Sequence, residues 1–95
     1  MRQYETMYIL KPELESEETS ALVAKFQSLV TEQGGQVDQL QEIGKRRLAY
    51  EIDKNREGYY VLMQFSTDND VTQELERVMR IEDNVLRYLT VRLGE

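Results

Sequence analysis

The chain changes its hydrophobic rhythm repeatedly, and each change marks an element. Arg2 to Leu10 is rich in β-formers (Tyr4, Thr6, Tyr8, Ile9) and stops at Lys11-Pro12, where proline removes a donor. This is the first strand. Leu22, Val23, Phe26, Leu29 and Val30 then recur at helical spacing. Ser16 is read as the N-cap, Glu17 and Glu18 suit the first turn, and Gly34-Gly35 ends the helix. Gln36 to Ile43 is polar and poorly periodic, whereas Arg46 to Ile52 alternates, with Leu48, Tyr50 and Ile52 of one parity. Together they predict one long strand bent near Gly44. Asp53 to Gly58 reads as a turn, and Tyr59 to Phe65 as a strand that is apolar almost throughout. Thr67-Asp68-Asn69-Asp70 is a helix-start cluster, followed by Val71, Leu75, Val78 and Met79 at helical spacing. That helix should end between Arg80 and Asn84. Val85 to Leu93 is the last strand.

The order is β-α-β-β-α-β, the split βαβ or ferredoxin-like arrangement, an α+β fold. Residues 1–95 are expected to form one domain with a four-stranded antiparallel sheet and both helices on one face. A sheet with one wet face should alternate apolar and polar positions. Here both parities are apolar: Tyr8 and Leu10 against Met7 and Ile9, Val61 and Met63 against Tyr60 and Leu62, Leu86 and Tyr88 against Leu89 and Val91. Either assignment of faces leaves four or more large apolar side chains uncovered. Such a patch marks a docking surface or, more plainly, edge side chains that shield one another.

Composition narrows the chemistry. The chain holds no cysteine and no histidine, so disulfides, thiolate sites and the commonest general base are missing. Acidic pairs such as Glu17-Glu18 and Glu74-Glu76 lack calcium-loop spacing and suit helix starts and exposed faces. No phosphate-cradling glycine loop or nucleophile motif is visible. The loop Lys11-Pro12-Glu13-Leu14 has none of the glycine that an acylphosphatase-type anion cradle would need. An enzyme is not expected, and neither is a metal or other cofactor. No apolar run approaches the length of a membrane helix and no signal peptide opens the chain, so a cytoplasmic location without membrane contact is expected.

The formal net charge is −6, unfavourable for nucleic acid if it were spread evenly. It is not. Residues 1–44 carry three basic and eight acidic side chains, residues 57–95 four and eight. Residues 45–56 carry five basic (Lys45, Arg46, Arg47, Lys54, Arg56) against Glu51 and Asp53. Charges beyond about 10 Å are largely screened at moderate salt, so this island can act as a local RNA-binding patch, though weakly alone. It can equally protect a strand edge from aggregation. Arg80, Arg87 and Arg92 surround the final turn and strand and have structural roles open to them as well. Gly58-Tyr59-Tyr60-Val61 partly resembles the strand on which RNA-recognition domains stack bases, but Glu57 replaces the basic residue and the third aromatic is missing.

Specific strings carry the inference further. Met1-Arg2-x-Tyr4-Glu5 at the start, Gly44-x-Arg46-Arg47-Leu48-Ala49-Tyr50-x-Ile52-x-Lys54 with Gly58-Tyr59 in the middle, and Arg80-Ile81-x-Asp83-Asn84-Val85 near the end resemble the bacterial ribosomal protein family numbered six in the small subunit. The resemblance implies the ferredoxin-like fold and a structural role in the small ribosomal subunit. It implies binding to the central domain of 16S ribosomal RNA together with the small basic ribosomal protein S18, among other small-subunit components. By matching position, Arg2, Arg46, Arg47, Lys54, Arg80 and Arg87 become candidates for contact with RNA or with the protein partner. The competing expectation is a regulatory or dimerisation module that binds a small ligand, since this fold hosts many functions.

Overall fold

The computed structural model describes residues 1–68 and 70–94, so Asn69 of the helix-start cluster lies outside the described residues. The elements are β1 (Arg2–Leu10), α1 (Ser16–Glu32), β2 (Gln36–Ile52), β3 (Asn55–Thr67), α2 (Val71–Ile81) and β4 (Val85–Leu93). The strands form one antiparallel sheet in the order β2-β3-β1-β4. This is the ferredoxin-like α+β fold that the element order predicted.

The register decides the faces that the sequence left open. Thr6 pairs with Met63 and Thr90, and Tyr8 with Val61 and Tyr88. Paired residues share a face, and the Thr6 and Thr90 hydroxyls meet at 2.8 Å. The helices cover this side. Tyr8, Leu10, Val61, Met63 and Phe65 of the sheet pack there against Phe26 and Val30 of α1 and Leu75 and Met79 of α2, all fully buried. The ring of Tyr8 meets Phe26 edge-on at 5.0 Å. Met7, Ile9, Tyr60, Leu62, Leu89 and Val91 therefore fall on the opposite, uncovered side.

Two boundaries differ from the sequence reading. The N-cap of α1 is Glu15, not Ser16. The Glu15 N–H donates to Glu18 Oε1 at 3.1 Å, one half of a capping box built from two glutamates instead of a serine hydroxyl. The far end behaves as expected: Gly34 takes φ +89°, and its N–H bonds Thr31 O at 3.1 Å. The second difference is the hairpin. Asp53 and Lys54 alone make the turn, with φ 48° and 68°, and β3 begins at Asn55 rather than at Tyr59. Positive φ at both central positions gives the tight primed turn whose twist matches the strands. The bend in β2 falls at Gly44, where φ is +97° and the register to β3 shifts.

Candidate nucleic-acid and protein interface

The β2–β3 hairpin reaches beyond the rest of the sheet. The last pair between β1 and β3 is Leu10 with Tyr59, and β4 begins opposite Leu10 at Val85. Past Tyr59 the hairpin therefore continues without strand pairing to β1 or β4, touching them through side chains alone. Lys45, Arg46, Arg47, Lys54 and Arg56 are all exposed on it. Arg46 Nη1 donates to the carbonyl of Lys45 at 2.8 Å. Arg56 Nε lies 3.7 Å from Glu51, an exposed pair of little energetic weight. Arg47 and Lys54 make no ion pair among the described residues. Lys54 occupies a left-handed position that glycine would take at lower cost, by roughly 1 kcal/mol, and so holds a cation at the tip. Arg47, Lys54 and Arg56 line one open crevice of about 640 Å³ together with Pro12 and Glu57.

Next to this basic end lies the uncovered face. Met7 is 38 % exposed, Val91 42 % and Leu89 61 %. Met7, Ile9, Tyr60, Arg87 and Leu89 surround a shallow, almost wholly apolar depression of about 120 Å³. Between the Arg47–Glu57 and Ile52–Asn55 pairs, five residue steps of β2 face two of β3. The extra length arches back over the sheet. Leu48 is buried, and a Cβ built on Gly58 would lie 3.4 Å from its Cδ2. Arg87, opposite Ile9 on β4, carries its guanidinium 5.7 Å from the centre of the Tyr50 ring. At the other end of the face Gln64 donates to Glu5 at 2.8 Å and makes a polar border.

The six residues predicted from sequence do not form one cluster. Arg46, Arg47 and Lys54 share the hairpin, and Arg87 joins it through Tyr50. Arg80 is exposed in the last turn of α2 and lines a separate shallow crevice with Glu74 and Arg77, which are themselves bonded at 2.7 Å. Arg2 pairs with Thr67 at the opposite end of β1. A nine-residue strand puts it roughly 27 Å from the hairpin end. The adjacent tyrosines of the partial RNA-recognition string point to opposite sides. Tyr59 faces the helix side, where its hydroxyl donates to Glu42 at 2.8 Å, and only Tyr60 lines the open face.

The sequence profile for ribosomal protein S6 matches residues 3–92. The small ribosomal subunit protein bS6 of Thermoanaerobacter pseudethanolicus is 57 % identical, with all of both chains aligned. That of Moorella thermoacetica is 54 % identical over all of this chain and 97 % of its own. The chain belongs to the ribosomal protein S6 family. The crystal structure of 30S ribosomal protein S6 from Thermotoga maritima superposes with a TM-score of 0.91 at 36 % identity, covering 96 % of this chain and 86 % of the other.

Family membership makes the protein a structural, non-enzymatic constituent of the small subunit of the bacterial ribosome, which is cytoplasmic. The most perturbed titratable group lies in the core, away from the hairpin. The Tyr8 hydroxyl is buried in the core with no hydrogen-bond partner among the described residues. Burial first, then the neighbouring Glu42 and Tyr59, pushes it far above the ordinary phenol range. Among the described residues no set of three potential ligands is grouped to hold a metal, and no helix is long and apolar enough to cross a membrane. Sequence reasoning quoted Gly58 only as part of motif strings and anticipated neither its close packing against Ile9 nor the stacking of Arg87 on Tyr50. Both depend on how the arch folds back, which local spacing does not specify.

Proposed function

We propose that this S6-family protein binds the central domain of 16S ribosomal RNA as a heterodimer with the small basic ribosomal protein S18. The adjacency of an uncovered apolar face and a projecting basic hairpin carries this reading. In it the apolar face takes the protein and the hairpin takes RNA. Burying a few hundred Å² of such a face contributes several kcal/mol, at about 25 cal/mol per Å². A basic partner also offsets the −6 charge, which otherwise repels phosphate. Arg46, Arg47 and Lys54 are the proposed phosphate contacts. Arg87 stands at the seam between RNA and protein, and Arg2 and Arg80 are proposed as outlying contacts with either.

The test is a gel-shift on a central-domain RNA fragment across a salt series, with and without S18. Weak binding alone and strong binding with S18 are expected. Arg46→Ala with Arg47→Ala should lower the salt slope of the joint complex by about one for each phosphate that is no longer neutralised. An unchanged slope removes these two arginines from the RNA surface. A stable homodimer in sedimentation that ignores both RNA and S18 would favour the ligand-binding or dimerisation module instead.

A further inference from the structure

Tyr50 is the exposed aromatic of the hairpin. At 58 % exposure it is far more open than a tyrosine kept for the core. Its ring is already engaged by the guanidinium of Arg87 at 5.7 Å. It also lines, with Arg47, Arg56 and Glu51, a crevice of about 260 Å³ on the hairpin. An aromatic ring set beside two arginines is the combination that receives an unpaired nucleotide: the base stacks, and the guanidinium groups meet its phosphate. Glu51 is the one carboxylate there, and its pairing with Arg56 at 3.7 Å is loose enough to yield to phosphate.

We infer that Tyr50 is a stacking platform for one unpaired RNA base, with the Arg87 guanidinium as a second layer on the ring. The contact would be sequence-tolerant, because every base has a π-face. It differs from the arginine contacts in kind, since it adds affinity without adding to the salt slope. The inference rests on the RNA-binding reading above.

The test compares Tyr50→Phe and Tyr50→Leu on the same central-domain RNA fragment with S18 present, and on S18 alone by titration calorimetry. Thermal unfolding of both variants within a few degrees of wild type checks that the exposed site has not disturbed the fold. Tyr50→Phe keeps the ring and should bind RNA as wild type does. Tyr50→Leu should weaken RNA binding by about 5- to 150-fold, the worth of one stacked base, with the salt slope and the S18 affinity unchanged. Equal RNA affinity for Tyr50→Leu and wild type overturns the inference and leaves the function standing. So does a loss of S18 affinity matching the loss on RNA, because the ring would then be a protein contact. If wild type with S18 fails to hold the RNA at all, the function itself falls, and the inference with it.

Discussion

Gly58→Ala is the substitution that most directly probes how the arch sits on the sheet. Gly58 has an ordinary strand conformation, so alanine there meets no backbone penalty. On propensity alone it would stabilise the strand by roughly 0.5–1 kcal/mol. Space decides otherwise. A Cβ at this position would lie 2.2 Å from Ile9 Cγ2, 3.4 Å from Leu48 Cδ2 and 3.6 Å from the Leu10 carbonyl. Carbon atoms pack best at about 3.5–4 Å, so the Ile9 methyl must retreat by more than about 1 Å. It is attached at a branched Cβ and cannot swing away alone. Overpacking of this kind costs about 1–3 kcal/mol. The net expectation is a destabilisation of about 1–2 kcal/mol, or a urea midpoint lower by about 1 M at unchanged m. The decisive assay is a double-mutant cycle with Ile9→Ala, which deletes the opposing methyl. Gly58→Ala should cost at least about 1 kcal/mol less in that background. Additivity within about 0.5 kcal/mol, or a stabilising Gly58→Ala in the wild-type background, would refute the packing argument.

Three further outcomes are expected. Leu89→Lys should leave stability within about 0.5 kcal/mol, because the side chain is 61 % exposed, yet weaken S18 binding at least about tenfold; calorimetry reads the binding and urea unfolding the stability. Tyr8→Phe removes a buried hydroxyl that has no partner among the described residues, and should raise stability by about 1 kcal/mol, or a melting temperature about 4–8 °C higher; a comparable loss would mean that the hydroxyl is satisfied. Tyr59 is held above the ordinary phenol range first by donating to the Glu42 carboxylate. A raised folded pKa contributes stability below the unfolded value of about 10 and loses it as pH climbs through the folded one. The advantage of wild type over Tyr59→Phe in urea midpoint should therefore hold at neutral pH and shrink above pH ~10.

What could be read from the sequence follows from where periodicity is local. Leu22, Val23, Phe26 and Val30, or Val71, Leu75 and Met79, define a buried stripe by spacing alone, and both helices lie where that stripe predicted. Strand parity failed as a guide because both parities of β1 and β3 are apolar; the register groups Thr6, Tyr8, Val61 and Met63 on one face, and only packing against Phe26, Val30, Leu75 and Met79 says that this face meets the helices. The turn was read too long because Asp53-Lys54 contains no glycine, so nothing in its chemistry marks a tight primed turn. The site suffered most. Arg46, Arg47 and Lys54 are near in sequence and near in space. Arg87 reaches them only because β4 begins opposite Leu10, and Arg2 is carried to the far end by the same strand that links it to the core.

The charge pattern acquires a direction once the layers are known. Glu17, Glu18 and Glu32 belong to α1 and Glu74 and Glu76 to α2. Both helices cover one face of the sheet, whereas the five cations of residues 45–56 sit on a hairpin that projects beyond it. At physiological salt the screening length is about 8 Å, shorter than the roughly 10 Å that separates packed layers. A phosphate at the hairpin tip is therefore governed by the local cations more than by the helix-face acids. The same acids repel RNA that approaches from the helix side. An overall negative chain thus disfavours RNA approach from the helix side, and the apolar face lies away from those acids and beside the hairpin, as the proposed division between RNA and protein partner requires.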